Sequence, residues 1–196
     1  RRCAGQGREG RARVRPAQFT SVAPSPDGAG WYLGTSGAGL LFVRPGDVAP
    51  ERRSFGLAGD RVGALYPSTE GVWVATDRTE IADAGVTYLS ADLTTSQTLA
   101  GGAALGLGYT TVRRMTAMKR SFFLATDVGV TQLEPASGRT FFFGSTLPDT
   151  RTYTVVGRRG AVLIGTARGL ARITDTLSVE RLAPGFIDPV YAIETE

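Results

Sequence analysis

The sequence predicts an all-β chain, a β-propeller of four-stranded antiparallel blades, with four blades visible. Three observations predict it. A unit of about forty residues recurs four times along the chain. Each unit holds two apolar runs of strand length around one threonine and one glycine. Glycine reaches 26 of 196 residues, as suits a chain of short strands and many tight turns.

The repeat is clearest in its central pair of strands. The first copy is Trp31-Tyr32-Leu33-Gly34-Thr35, then Gly39 to Val43. The second is Val72-Trp73-Val74-Ala75-Thr76, then Gly85 to Leu89. The third is Phe122-Phe123-Leu124-Ala125-Thr126, then Gly129 to Leu133. The fourth is Val162-Leu163-Ile164-Gly165-Thr166, then Gly169 to Ile173. Both halves are rich in β-branched and aromatic residues that alternate in the strand manner. The small residue before each threonine (Gly34, Ala75, Ala125, Gly165) marks a place where a neighbouring sheet leaves no room for a side chain. The glycine closing each turn is expected at positive φ, as a tight hairpin requires. The threonines are 41, 50 and 40 residues apart, and the long interval is taken up by a longer turn, 77–84, and an insertion, 99–109.

The remaining strands fall on either side. Inner strands are expected near 19–23, 62–66, 112–118 and 153–156. Outer strands are expected near 52–56, 96–99, 140–143 and 178–182. Turn residues punctuate them, as in Ser25-Pro26-Asp27-Gly28 and Pro135-Ala136-Ser137-Gly138. The expected organisation is a basic, flexible tail over 1–16 and a propeller over 17–196. Its blades are about 17–58, 59–109, 110–150 and 151–186, with the start of a further blade at 187–196. Propellers close with roughly 4–8 blades, so an incomplete arc of a larger ring is favoured over a closed ring of four. The aromatics Trp31, Trp73, Phe122 and Phe123 are expected in the core between blades.

Charge is unevenly placed. Residues 1–15 carry six arginines and one acid, while the rest of the chain is close to neutral. A tail of that kind, with Arg8, Arg11, Arg13 and Arg15, contacts anionic lipid or an acidic protein surface. The nearly neutral body, without basic residues interleaved among aromatics, argues against nucleic acid. Histidine and asparagine are absent and Lys119 is the single lysine among 22 basic residues, a bias that matches a GC-rich bacterial genome. Cys3 is the only cysteine, so an intrachain disulfide is excluded. It sits where a bacterial lipoprotein carries its lipid, although Arg1-Arg2 are unlike the small apolar residues that normally precede such a cysteine. No apolar run approaches the roughly 20 residues of a membrane-spanning helix.

The unit Val162-Leu163-Ile164-Gly165-Thr166-Ala167-Arg168-Gly169-Leu170-Ala171-Arg172 resembles the blade signature of the two-component-regulator propeller family. The second unit keeps Trp73 but has Ala75 for the glycine and a longer turn. The resemblance covers most of 17–196. It implies a propeller of the kind found in periplasmic sensor regions of bacterial signalling proteins, and similar repeats also occur in scaffolding proteins.

The absence of histidine excludes Ser-His-Asp and Cys-His mechanisms and histidine-based zinc sites. The chain is therefore expected not to be an enzyme, and no cofactor or metal is expected. The loops at the end carrying the links between blades, where propellers commonly bind ligands, gather Asp77, Glu80, Asp83 and Asp127. Arg78 and Arg168 occupy equivalent turns there. These six form the candidate ligand or partner face. Phe141-Phe142-Phe143 is a candidate partner contact, because alternation forbids a strand from burying three consecutive rings on one face. The glycine-rich 101–108 lacks the strand–loop–helix setting and the Gly-Lys-Ser/Thr of a phosphate loop.

The sequence thus points to a non-catalytic interaction or scaffold propeller, an accessory subunit of a larger bacterial extracytoplasmic or membrane-associated assembly. Its expected partners are protein subunits, membrane proteins among them. The alternative is a ligand-sensing periplasmic propeller of a two-component-type receptor.

Overall fold

The structure is a computed structural model that describes residues 18–53, 57–79, 84–92, 96–99 and 111–194. Every regular element among them is a strand. Blade 1 comprises β1 (Phe19–Pro24), β2 (Trp31–Thr35), β3 (Leu40–Val43) and β4 (Glu51–Arg53). Blade 2 comprises β5 (Val62–Ser68), β6 (Gly71–Thr76), β7 (Gly85–Ser90) and β8 (Ser96–Leu99). Blade 3 comprises β9 (Val112–Met118), β10 (Ser121–Thr126), β11 (Val130–Glu134) and β12 (Arg139–Phe143). Blade 4 comprises β13 (Thr152–Arg158), β14 (Ala161–Thr166), β15 (Gly169–Thr174) and β16 (Val179–Leu182). In each blade the strands pair antiparallel with their sequence neighbours, so each sheet is a meander. The four blades expected from the repeat are therefore present. The inner strands pack in succession, β1 on β5, β5 on β9 and β9 on β13.

Three cores fill the three blade junctions. Tyr32, Leu40, Phe42, Val62, Val72 and Val74 lie between blades 1 and 2. Ala64, Val86, Val112, Met115, Phe122 and Leu124 lie between blades 2 and 3, with Trp73 packed against them. Phe123, Phe143, Val155, Val162, Ile164 and Ile173 lie between blades 3 and 4. Adjacent Phe122 and Phe123 point to opposite faces of one strand, so each fills a different junction.

Trp31 departs from expectation, being 49% exposed. It occupies the repeat position of Val72, Phe122 and Val162, all buried against the preceding blade. Among the described residues no blade precedes blade 1, so the same position faces outward.

The repeat threonines explain why the unit recurs. Thr35, Thr76, Thr126 and Thr166 are fully buried. Each hydroxyl donates to the carbonyl of the glycine that opens the next strand: Gly39 at 2.7 Å, Gly85 at 3.3 Å, Gly129 at 2.7 Å and Gly169 at 2.9 Å. A buried hydroxyl thus closes each hairpin while satisfying its own polarity. Gly39, Gly129 and Gly169 have the expected positive φ (74°, 146° and 103°). Gly85 does not, because the longer turn of blade 2 removes the need for a tight reversal.

A second regularity leaves no mark in the sequence pattern. Each inner strand carries a one-residue bulge at its second position: Thr20, Gly63, Arg113 and Tyr153. The bulged residue reaches the start of the next inner strand. Thr20 Oγ1 donates to the Val62 carbonyl at 2.5 Å. A side chain on Gly63 would meet the Val112 carbonyl. The Arg113 guanidinium lies 5.4 Å from the centroid of the Tyr153 ring. Tyr153 in turn packs on Tyr191, centroids 4.6 Å apart.

That last step leads beyond blade 4. The Val190 amide donates to Thr166 O at 3.0 Å, and the Gly169 amide to Asp188 O at 3.1 Å. The Gly39 amide donates to Asp60 O in the same way at the first junction, 2.7 Å. Gly165 faces Val190 as Gly34 faces Val62, with no room for a Cβ in either case. Residues 188–194 therefore lie on blade 4 in the place of a further inner strand, although they form no strand pairing among the described residues.

Candidate functional site

The loop face forms where the turn between each blade's second and third strands meets the entry to its inner strand. The residue after each repeat threonine donates its amide to that entry. Ser36 donates to Gln18 O, Asp77 to Arg61 O, Asp127 to Thr111 O and Ala167 to Arg151 O, at 2.9, 2.8, 3.3 and 2.9 Å. The candidate residues Asp77, Asp127, Arg78 and Arg168 all belong to these turns. Glu80 and Asp83 lie outside the described residues, as do Cys3, Arg8, Arg11, Arg13 and Arg15.

Asp77 is not the solvated rim residue that a turn aspartate suggests. Its side chain is 6% exposed. Oδ1 accepts the Val112 amide of blade 3 at 2.7 Å, and Oδ2 lies 3.3 Å from Arg61 Nε. Burial pushes its carboxyl above the usual range, against the opposing pull of the Val112 amide and Arg61, while nearby Asp127 adds to the rise. Asp127 Oδ1 accepts the adjacent Thr111 amide at 3.1 Å. The two carboxylates thus hold consecutive amides at the entry to β9. Asp77 thereby joins blade 2 to blade 3, while Asp127 ties the β10–β11 turn to the entry of β9 within blade 3.

The arginines are separated. Arg78 and Arg168 are both exposed, but they sit on blades 2 and 4 with blade 3 between them. Arg168 lies within electrostatic reach of Asp149. That carboxyl is held below the usual range mainly by the Arg151 amide, with the Arg151 side chain and Arg168 adding to it. Among the described residues no group of three or more His, Cys, Asp or Glu is placed to hold a metal ion. No helix among them is long and apolar enough to cross a membrane.

The aromatic run divides, but not by alternation alone, since exposed Phe141 shares a face with buried Phe143, ring centroids 4.8 Å apart. Phe143 is buried in the junction of blades 3 and 4, so it is removed from the candidate contact surface. Phe141 and Phe142 are 55% and 52% exposed on the outer strand β12. Their rings border a cleft of about 250 Å³ whose other wall includes Leu177 and Val179 of blade 4. The Phe142 ring lies over Gly129 and Gly144, where a larger residue would displace it.

On the concave side, the inner strands β1, β5 and β9 enclose an open groove of about 730 Å³. Its walls include Phe19, Val22, Tyr66 and Met115, and its cationic groups are Arg113 and Arg114. The groove leaves no mark in the sequence, because its residues lie nearly a hundred positions apart.

Solved structures share this fold at low identity. The extracellular domain described as part of a hybrid two-component system of B. thetaiotaomicron superposes with a TM-score of 0.63 at 15% identity. The match covers 84% of this chain and 21% of that one, so the chain spans about a fifth of its length. The WD40 repeats of RRP9 superpose with a TM-score of 0.62 at 11% identity, over 87% of this chain and 52% of that one. The computationally designed Ika8 protein gives 0.60 at 14% identity, over 86% and 50%. These likenesses establish the propeller fold. No family model matches the chain. No curated protein matches it either.

Proposed function

We propose that this chain is a non-catalytic protein-interaction propeller, a scaffold or accessory module of a larger bacterial assembly on the extracytoplasmic side or at the membrane. The observation that carries the reading is the apolar surface exposed on the described blades, at Trp31, Phe141 and Phe142. Blade 1 turns Trp31 outward at a position buried in every other blade. Blade 4 carries residues 188–194 in the place of a further inner strand. We read that segment as the start of a fifth blade. Apolar blade faces and unpaired sheet edges are surfaces that proteins ordinarily cover. The half-exposed Phe141 and Phe142 on an outer strand add a second apolar surface, and the arginine-rich tail adds an electrostatic contact for anionic lipid or an acidic protein.

The alternative, a ligand-sensing propeller of a two-component-type receptor, is supported by the fold shared with an extracellular domain of such a system. It is also supported by the concave groove, which is of small-molecule size.

Native purification from the source organism, followed by mass spectrometry of co-purifying chains, tests the scaffold reading. It predicts stoichiometric protein partners. A chain that runs alone, or as one part of a receptor with its own output domain, contradicts it.

A further inference from the structure

We infer that the concave groove is a binding site for a small organic anion with an apolar body, its anionic group held by Arg114. The inference does not depend on the scaffold reading.

The groove runs along three neighbouring inner strands, each with a bulge at its second residue, Thr20, Gly63 and Arg113. Fourteen residues line it, two of them arginines and none acidic. Its positive potential is therefore not offset from within the groove.

The two arginines differ. Arg113, the bulged residue, lies over the Tyr153 ring and feels the Asp77 carboxylate. Arg114 is exposed, and no hydrogen bond, ion pair or ring contact engages it among the described residues. A guanidinium without a protein partner offers its donor fork to a planar anion, so a carboxylate or sulfonate fits it.

The remainder of the wall sets the rest of the ligand. Phe19 and Val22 are exposed there at 60% and 61%, an uncommon state for residues on an inner strand of a packed sheet. Half-buried Tyr66 also lines the groove, as does Met115, which is itself almost fully buried. An apolar body lying against these side chains removes them from water while its anionic group meets the arginine. Inorganic anions satisfy only the second condition, and neutral aromatics only the first.

The test is a ligand-observed NMR titration of the whole chain with three probes: 1-naphthoate, the uncharged 1-naphthalenemethanol, and inorganic phosphate. We expect 1-naphthoate to bind about tenfold more tightly than the alcohol, the size of one charge-assisted contact, and phosphate to compete poorly with it. Arg114→Gln should bring the two naphthalenes to within about twofold of each other. Val48→Ser, in an exposed loop of blade 1 away from the groove, should leave the discrimination intact, and thermal melting of both variants checks that the fold is retained. Equal binding of acid and alcohol by the unaltered chain overturns the inference. So does discrimination that survives Arg114→Gln, effective competition by phosphate, or no binding of 1-naphthoate at all.

Discussion

The carboxylate of Asp77 in blade 2 accepts the main-chain amide of Val112 in blade 3 at 2.7 Å, almost fully shielded from water. This bond crosses from one sheet to the next at the entry to an inner strand. Asp77→Ala leaves the buried Val112 amide unpaired and should lower stability by about 1–3 kcal/mol in urea denaturation. Asp77→Asn keeps an acceptor oxygen and should cost less.

The same residue sets a pH dependence. Its folded pKa is raised, chiefly by burial, so the native state holds a proton more tightly than the unfolded chain does. Stability therefore falls as pH rises from the ordinary carboxylate value through the raised one. Asp77→Asn should remove this slope, which parallel melting curves across mildly acidic pH would reveal.

Thr152 joins blade 4 to blade 3. Its hydroxyl oxygen accepts the Thr126 amide at 2.9 Å, and its proton is shared between the carbonyls of Thr126 and Gly129 at 2.8 and 2.9 Å. Thr152→Val keeps the shape and removes these bonds. It should destabilise by about 1–3 kcal/mol. Combined with Thr126→Val, the loss should be less than additive, because both changes strike one network.

Trp31 and Phe122 occupy the same repeat position in different blades, and their substitutions should behave oppositely. Phe122→Ala opens a cavity between blades 2 and 3 and should cost about 3–5 kcal/mol. Trp31→Ala should change the melting temperature of the isolated chain little, and should reduce retention of partners in a pull-down.

Gly165 abuts Val190 so closely that a Cβ would collide with its carbonyl and Cγ1. Gly165→Ala should push residues 188–194 off blade 4 and speed hydrogen exchange of the Val190 amide. Gly185→Ala, where a Cβ meets nothing within 4 Å, should leave that exchange unchanged.

Much of this architecture is legible in the sequence, because the repeat threonine and the small residue before it each answer a demand that recurs in every blade. The bulges are not legible. Thr20, Gly63, Arg113 and Tyr153 share a backbone position but no side-chain chemistry, so no pattern marks them. Asp77 misleads for a different reason. An aspartate beside a turn ordinarily faces water, and only the arrival of β9 from a distant part of the chain buries it. Phe141, Phe142 and Phe143 fall between these cases: alternation requires that the run be split, but which rings stay outside depends on where blade 4 packs.

The most direct test of the scaffold reading is site-specific photo-crosslinking in the source organism. A benzophenone side chain replaces Trp31 or Ala192, at the two ends of the arc, with Val48, a fully exposed loop position, as the control. The reading predicts a discrete protein adduct from one or both arc ends and none from position 48. Absence of an adduct at both ends, or equal adducts at all three positions, would contradict it.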